Sequence, residues 1–339
     1  MRLNDEVAEN RRLTRWADLL PRAPGQVGGI HETDAELVPL GDGRLLALTV
    51  DTVAEEVRLG LYRDARTAGR IAVSAALSDL AAVGADPIGL LLSVTLAKKD
   101  ADAVQDAVAH GVAEAAAAAG TWVLGGDTND GPELSVGCTA AGTVPADALL
   151  TRVGAAPGDA LFVSGPLGAG AALAAAAFCG EPLLMSEEAF RPPPRLREGR
   201  ALRGVASAAM DTSDGLVATL DQLGRLNGLA LRLTRPADEL LHPKALLASR
   251  RSRFSPLAFL SAPHGEFELV FTVPRGRRGA LDRAAARLGW TPVEIGVTEE
   301  GRGLFLGTRP VDGGRVRNLL SECRGDLGAC AAVLRELGE

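Results

Sequence analysis

The stretch GRIAVSAALSDLAAVGADP, residues 69–87, decides the fold of this 339-residue chain. It is almost wholly small and apolar, which predicts a helix over 67–83 that is buried on most sides and stopped by Gly84 and Pro87. One carboxylate, Asp79, lies inside it among alanines and leucines. Because a buried carboxylate costs free energy unless something binds it, Asp79 indicates a functional site as well as a core.

Strand and helix patterns alternate on both sides of this helix, which predicts an α/β protein. At 339 residues, the chain exceeds one average core. We therefore expect two α/β domains and a tail, with bounds 1–148, 149–310 and 311–339. The other predicted elements are helix 3–20, hairpin strands 36–40 and 44–50, strand 88–96, helix 101–119, strands 122–124, 134–144 and 160–164, helix 215–226, strand 229–233 and tail helix 325–337.

Composition restricts the partners of the protein. The net charge of −7 argues against nucleic acid, whose partners normally carry a basic face. The four cysteines have no zinc-ligand spacing, which favours reduced thiols in the cytoplasm. The N-terminus has no secretory signal, and no apolar run approaches the ~18 residues that a membrane span needs. We expect a cytoplasmic protein that binds a small molecule and neither nucleic acid nor a membrane.

The candidate metal site is a set of aspartates that lie in turns or in apolar surroundings. Carboxylates without a matching cluster of His or Cys favour Mg²⁺ over zinc. Structural alternatives stay open for single members: Asp214 can cap the helix after it, and Asp34 and Asp51 can be turn residues. The set comprises Asp34, Asp51, Asp79, Asp127, Asp211 and Asp214.

A glycine-rich loop between a predicted strand and helix is a weaker candidate. Its glycines, Gly165, Gly168 and Gly170, could cradle a phosphate with backbone N–H groups. No Lys-Ser/Thr follows them, so the loop is not a Walker A sequence. A structural turn is the favoured interpretation.

Seven segments, taken in order, resemble the aminoimidazole-ribonucleotide (AIR) synthetase superfamily and within it the thiamine-monophosphate kinase family. Their order and spacing match over about residues 30–310, which is more specific than any one motif. The segments are TDA (33–35), TVDT (49–52), LSDLAAVGADP (77–87), GGDT (125–128), TRVGAAPGD (151–159), RPPPRLREGRAL (191–202) and MDTSDGL (210–216).

The resemblance implies a two-domain AIR-synthetase-like fold whose N-terminal sheet domain dimerises into a barrel, making a homodimer, with ATP and magnesium in the cleft. It implies a magnesium-dependent kinase that moves the γ-phosphoryl group of ATP to a phosphate oxygen, work that needs positioning and charge neutralisation. Asp79, Asp211 and Arg152 would be catalytic. The implied metal ligands are Asp34, Thr49, Val50, Asp51, Asp79, Asp127, Asp211 and Asp214, and the implied nucleotide contacts are Gly125, Gly126, Asp127, Arg152 and Ser213, with His110 as a further candidate.

This chain departs from the family mainly on the acceptor side. Where the family reads Glu-Gly-Val-His-Phe, residues 55–59 read EEVRL, so Arg58 replaces a histidine. Where it reads Gly-Gly-Glu-Asp-Tyr-Glu-Leu, residues 263–269 read PHGEFEL, so Gly265 replaces a substrate-binding glutamate and Glu266 follows it. An acidic residue is also missing before Asp34. We hypothesise a phosphotransferase with an acceptor other than thiamine monophosphate; alternatives are an ATP-dependent ligase and a non-catalytic nucleotide-binding protein.

Overall fold

Helix α3 (Ala65–Ala82) connects the two sheets of the protein in a computed structural model that describes residues 6–97, 101–179, 185–252, 254–323 and 326–338. Fourteen of its eighteen residues are buried, as the sequence predicts. The side chain of Asp64 begins the helix by accepting from the N–H groups of Arg66 and Thr67. Because α3 packs on both sheets, Asp79 near its C-terminal end lies between them.

The first sheet has the strand order β1-β2-β5-β3-β4. β3 and β4 are parallel and the other neighbours are antiparallel. Along β5 buried residues alternate with partly exposed ones, so one face of the sheet meets the core and the other faces outward. The strands are β1 (Glu36–Pro39), β2 (Arg44–Thr52), β3 (Asp86–Ala97), β4 (Val123–Gly131) and β5 (Ser135–Pro145).

The second sheet has the order β12-β11-β8-β10-β6-β9-β7. Its outermost strand β7 contacts α3, which joins the two halves of the molecule. The α/β prediction is therefore confirmed. The strands are β6 (Ala160–Val163), β7 (Ala208–Asp211), β8 (Leu229–Leu233), β9 (Leu269–Val273), β10 (Val293–Glu300), β11 (Gly303–Leu306) and β12 (Arg309–Val311).

Helices cover the buried faces of the sheets and form the termini. In the described ranges, no helix has the length and apolar character that crossing a membrane requires. The remaining helices are α1 (Ala8–Leu19), α2 (Ala54–Arg58), α4 (Ala101–Ala119), α5 (Ala169–Cys179), α6 (Leu196–Leu202), α7 (Leu216–Asn227), α8 (Pro243–Arg251), α9 (Pro256–Ser261), α10 (Arg278–Leu288), α11 (Gly313–Arg317), α12 (Leu319–Glu322) and α13 (Leu327–Gly338).

The helix pair α3–α4 depends on two glycines. A Cβ atom on Gly69 would lie 2.4 Å from the carbonyl oxygen of Val108, and one on Gly111 would lie 1.9 Å from that of Arg66. Only glycine permits this approach of backbone to backbone. The close contact holds α3 in place against the first sheet.

The structure departs from the predicted elements in several places, among them β4, α2 and α7. β4 continues past residue 124 to Gly131, because it pairs in parallel with β3 along its whole length. The short helix α2 is absent from the prediction. α7 begins at Leu216, and its N-cap position is Gly215 with φ 83° and no side-chain cap. Asp214 therefore does not cap this helix, and Gly228 ends α7 in a left-handed conformation.

The first helix, α1, packs against residues from the last part of the chain. Asn10 of α1 is buried and accepts from Arg317 of α11 at 2.9 Å. Both side chains also bond to Gln222 of α7. α1 thereby borders the cleft between the two sheets, since Leu13 lines the cavities found there.

Candidate active site

Carboxylates of three aspartates converge at the junction of the two sheets. One oxygen each from Asp34, Asp79 and Asp211 lies within 4.8 Å of the others. Asp34 precedes β1, Asp79 is on α3 and Asp211 ends β7, so segments distant in sequence build the site. The structure thus brings together three of the residues that the sequence predicts as metal ligands.

Hydroxyl groups orient these carboxylates. Thr49 donates a hydrogen bond to Asp79, and Ser78 donates to Asp211 at 2.7 Å. Ser213 also donates to Asp211, at 3.0 Å. Ser78 of α3 therefore bonds to Asp211 at the second sheet, and the adjacent Asp79 bonds to Thr49 in the first sheet. These bonds fix the positions of the Asp79 and Asp211 carboxylates relative to each other.

Asp51 and Asp214 complete what we call the acidic cluster, which consists of Asp34, Asp51, Asp79, Asp211 and Asp214. Both line the same cavity as Asp34 and Asp79. Asp214 is open to the cavity, and it is free to face it because it caps no helix.

Burial and mutual repulsion make the acidic cluster unfavourable when it is fully ionised. Burial, followed by the charges of Asp51 and Asp211, raises the pKa of Asp79 well above its ordinary value. Burial and then Asp34 raise the pKa of Asp211 to about 7. Burial likewise raises the pKa of Asp51. A bound cation would relieve this repulsion.

Arg152 is the basic residue at the centre of the cluster. It donates to Asp34 at 2.7 Å, and that ion pair is largely buried. Burial acts to lower the pKa of Arg152, but Asp34 raises it above its ordinary value, so the guanidinium stays charged. Its Nε and the Oδ2 atom of Asp34 are buried without a hydrogen-bond partner in the described part of the chain. This ion pair therefore leaves one donor and one acceptor without a partner among the described residues.

Two cavities meet at the acidic cluster. The smaller, of about 300 Å³, lies toward the second sheet, and the larger, of about 780 Å³, lies between α1 and β2. Trp16, Leu20 and Val50 line the larger cavity. The residues that line both are Leu13, His31, Asp34, Asp79 and Arg152. This shared wall is where groups bound in the two cavities would meet.

The predicted nucleotide contacts on β4 lie apart from the cluster in a single protomer. Gly126 is in register with Asp51, but β5 and β3 stand between them, a distance of about 14 Å at ~4.8 Å per strand. Asp127 is exposed and accepts from Asn129 at 2.7 Å. Gly125 is also exposed on this edge strand. The expectation that Asp127 joins the other ligands is not met within one chain.

Two further predicted residues lie at the surface, and one of them borders a cavity. His110 lies on the exposed face of α4 and lines neither cavity. Val50 is 70% exposed on the outward face of the first sheet, and it borders the larger cavity.

The predicted substrate contacts do not reach the smaller cavity. The side chain of Arg58 is 62% exposed and pairs with Glu55 at 3.3 Å. Gly265 is buried against the turn after β7, where an added Cβ would lie 1.6 Å from the carbonyl oxygen of Thr212. Arg58, which stands at a substrate-contacting position of the family, therefore points to solvent in this structure.

Glu266 does not line the cavity, and its carboxylate is held by other groups of the protein. The backbone N–H groups of Gly168 and Ala169, at the start of α5, face its buried carboxylate. Thr212 also donates to it, at 3.3 Å. The glycine-rich loop is thus occupied by a side chain of the protein, in agreement with its interpretation as a structural turn.

Two residues that the sequence does not point to, Glu56 and Arg317, line the smaller cavity, and His264 lies there as well. Arg317 comes from the tail and is held by Asn10 and Gln222. Glu56 and His264 lie in the segments EEVRL and PHGEFEL, where this chain departs from the family. The departures therefore mark the right segments, although the resemblance assigns the substrate contacts to the adjacent Arg58 and Gly265. On the short helix α2, Glu56 lines the cavity, whereas the side chain of Arg58 extends to solvent.

Comparison with known proteins gives consistent matches. Residues 32–144 match the family described as AIR synthase related protein, N-terminal domain. The chain is 35% identical over 264 residues to the thiamine-monophosphate kinase of Salmonella typhimurium, covering 76% of this chain and 79% of that protein. Its fold is similar to tt0281 from Thermus thermophilus, with a TM-score of 0.77, 29% identity and coverage of 90% and 98% of the two chains. AaThiL complexed with AMPPCP and TMP has a TM-score of 0.74 at 24% identity, with coverage of 92% and 97%, a likeness of fold.

Proposed function

This chain belongs to the thiamine-monophosphate kinase family, and from that premise we propose that it transfers the γ-phosphoryl group of ATP to a phosphate oxygen of a small phosphate ester. It is an ATP-dependent kinase, as its relatives are. Thiamine monophosphate, the acceptor in the name of those relatives, is the first acceptor to test.

One observation carries the proposal: the ion pair of Asp34 and Arg152 lines both cavities, and each side chain keeps one polar atom without a hydrogen-bond partner among the described residues. Buried polar atoms normally have partners, so orphaned ones indicate a ligand. A metal–phosphate group would suit both residues, because Asp34 would hold the cation and Arg152 would bind a phosphate oxygen.

The residues present fit Mg²⁺. The donor set of the acidic cluster consists of oxygens, and three carboxylates converge within the span that a cation bridges. Asp34, Asp51, Asp79 and Asp211 would hold the metal. When bound, Mg²⁺ would supply charge neutralisation for the phosphate oxygens of ATP.

The chain itself would contribute position and the exclusion of water. The larger cavity would take the nucleotide and the smaller one the acceptor, so that the two phosphates approach at the shared wall. Arg152 would bind phosphate oxygens there, and Ser78 and Thr49 would keep two carboxylates aimed at the same point. Such a mechanism needs no covalent nucleophile.

The homodimer and the cytoplasmic location remain part of this proposal. The outward face of the first sheet carries exposed large apolar side chains, among them Leu91 at 48% and Leu124 at 59% exposure. An apolar patch of this kind is typical of an interface. Packing against a second copy would also cover Asp127, and light scattering on the purified protein tests the expected dimer.

The decisive experiment incubates the purified protein with ATP, Mg²⁺ and a panel of phosphate monoesters that includes thiamine monophosphate. Phosphorus NMR should show ADP and a new diphosphate ester in equal amounts. Release of inorganic phosphate with a new amide bond would instead indicate a ligase. Binding of ATP without turnover of any acceptor would leave a non-catalytic nucleotide-binding protein.

A further inference from the structure

His31 lies on the wall that the two cavities share, and the proposed function gives it no role. It belongs to the segment GGIHETDA, residues 28–35, and precedes Asp34 by three positions. This is also the segment in which an acidic residue of the family pattern is missing before Asp34. The histidine is therefore a candidate for chemistry that belongs to this chain.

The backbone holds His31 in an unusual conformation. Its φ is 69°, in the left-handed region that few residues other than glycine adopt. Glu32 donates its N–H to the carbonyl of Gly29 at 3.2 Å, and its carboxylate accepts from the N–H of Gly29 at 2.6 Å. The carbonyl of Glu32 also accepts from the N–H of Arg152 at 2.8 Å. A strained residue that is held this firmly is typical of a functional site.

The imidazole of His31 has one nitrogen in use and one without a partner. The ring forms a hydrogen bond with the backbone of Asn10 in α1, and because that bond raises the pKa of His31, the ring is its donor. Nε2 is buried and has no hydrogen-bond partner among the described residues. Nδ1 is therefore the donor, and Nε2 of the neutral ring is an acceptor.

The ring is neutral near pH 7. Burial, followed by the charges of Arg152 and Arg317, lowers the pKa of His31. A neutral ring in this tautomer does not attract an anion by charge. The partner of Nε2 therefore has to carry a hydrogen atom on oxygen or nitrogen.

The two arginines that act on His31 donate elsewhere. Arg152 donates to Asp34 at 2.7 Å. Arg317 donates to Gln222 at 2.5 Å and to Asn10 at 2.9 Å. Because buried polar atoms normally have partners, we expect the donor for Nε2 to come from a bound molecule.

The charge of the smaller cavity favours one kind of donor. Carboxylates along its wall outnumber arginines, so each negative charge that a ligand brings costs free energy, and a bound cation offsets only part of that cost. A phosphate that keeps one proton brings one negative charge fewer, and its P–OH group is a hydrogen-bond donor. The carboxylates are Glu9, Asp34, Asp51, Glu56, Asp79 and Asp214, and the arginines are Arg152 and Arg317.

We propose that Nε2 of His31 accepts a hydrogen bond from the P–OH group of the acceptor, so that the acceptor phosphate binds in its singly protonated form. The inference rests on the proposed function, because it concerns the phosphate that receives the γ-phosphoryl group. With the hydroxyl turned to His31, an unprotonated oxygen of the same phosphate is left to face ATP. His31 thus selects and orients the acceptor phosphate.

Phosphate and sulfate test the proposal by calorimetry at pH 8, with Mg²⁺ and a non-hydrolysable ATP analogue present. Both ions are tetrahedral and doubly charged at this pH, but only phosphate has a hydroxyl group. The wild-type protein should bind phosphate at least about 10-fold more tightly than sulfate, because sulfate leaves Nε2 without a donor. His31→Gly should bind the two ions with affinities within about twofold of each other.

Glycine suits the backbone at this position, since a φ of 69° costs glycine little, and a thermal melt should show that the variant is folded. His110→Gln is the control, because His110 is exposed and lines neither cavity. It should keep the wild-type preference for phosphate.

Nitrogen NMR provides a second measurement on the wild-type protein. The chain has four histidines, and the ¹⁵N signal of His31 is the one that is lost in His31→Gly. Phosphate should shift the Nε2 signal toward that of a hydrogen-bonded nitrogen, and sulfate should leave it in place.

Equal affinity for the two ions in the wild type, binding of neither ion, or an unchanged preference in His31→Gly would overturn the role of His31. Binding of the ATP analogue is measured separately. Its absence would count against the kinase proposal and not against the recognition of a protonated phosphate.

Discussion

Two groups of buried carboxylates in the described part of this protein are compensated differently. Beside the second sheet, the guanidinium of Arg195 donates to Glu268 through two nitrogens, and the hydroxyl of Ser164 donates to it as well. The pKa of Glu268 is raised by burial in spite of Arg195, yet its oxygens have partners. We call this region the paired core.

In the acidic cluster, most of the carboxylates lack a basic partner among the described residues. Arg152 pairs with Asp34, while Asp79 and Asp211 receive hydrogen bonds from hydroxyl groups and form no ion pair among the described residues. Acidic residues in both regions come from segments that resemble one family. The difference teaches that the partners of a buried carboxylate, and not its burial, separate a structural group from a ligand-binding one.

The largest expected effect comes from removing one charge of the acidic cluster. Asp79→Asn should lower phosphoryl transfer by about 10³-fold, on the order of 4 kcal/mol of barrier, because a ligand of the metal–phosphate group is lost. The midpoint of thermal unfolding should not fall, since the substitution relieves repulsion from Asp51 and Asp211. Initial rates and a thermal melt of the same preparation measure both.

Asp42→Asn is the control for that substitution. Asp42 lies in an exposed hairpin turn and pairs with Arg44 at 2.6 Å. Its replacement should leave the rate unchanged. If Asp79→Asn kept more than a tenth of the activity, the acidic cluster would not be the reaction centre.

The paired core should respond in the opposite sense. Glu268→Gln leaves Arg195 charged and partly buried without its full partner, so the free energy of unfolding should fall by about 3–5 kcal/mol. Urea unfolding measures it. Binding of an ATP analogue at low temperature should persist, because Glu268 lines neither cavity.

An exposed ion pair provides the control for the paired core. Glu336→Gln removes a pair with Arg315 at 2.6 Å and should change the free energy of unfolding by less than about 1 kcal/mol. Equal losses in Glu336→Gln and Glu268→Gln would contradict the distinction between the two kinds of pair.

Much of the fold follows from sequence periodicity. The predicted bounds of α4 and β8 agree with the structure, and the small-residue pattern around Asp79 predicts the burial of α3. Such patterns are local, so each is visible in a short window. The end of β4 was missed because pairing with β3, and not composition, extends it.

The site is less predictable because it depends on contacts between distant segments. The convergence of Asp34, Asp79 and Asp211 follows from family resemblance and agrees with the structure. The docking of α1 near Arg317 joins residues more than 300 positions apart, for which periodicity gives no signal. Direction on a five-residue helix decides that Glu56, and not Arg58, faces the cavity.

Binding of Mg²⁺ and an ATP analogue should stabilise a variant of the paired core but not a variant of the acidic cluster. Mg²⁺ with an ATP analogue, at about 100 times the dissociation constant, should stabilise the wild-type protein by about 2.7 kcal/mol. Glu268→Gln should show the same increment, since its acidic cluster is intact. Asp79→Asn should show little, and a chelator should reverse the increment where it occurs. Equal stabilisation of Asp79→Asn and the wild type would indicate that the metal binds elsewhere.

The smallest effect concerns Glu266, which lies beside the paired core. Burial, and then the charge of Glu268, raises its pKa to about 8 from a usual value of 4.5. The folded state therefore binds more protons than the unfolded state between those values, and stability from this group is lost as the pH rises through about 8. Glu266→Gln should remove that slope. Relative to the wild type, the variant should gain about 1–3 kcal/mol between pH 5 and pH 9, because relaxation around the carboxylate reduces the full effect.

Urea unfolding at a series of pH values measures the difference between Glu266→Gln and the wild type. Glu36→Gln, which alters an exposed carboxylate of β1, should give a curve parallel to the wild type. The amide of the Glu266 variant can still accept from the N–H groups at the start of α5, so the helix keeps its cap. Parallel curves for Glu266→Gln and the wild type would mean that this carboxylate is fully compensated in the fold. The contrast between the paired core and the acidic cluster would then be sharper, since unmet charge would be confined to the cleft.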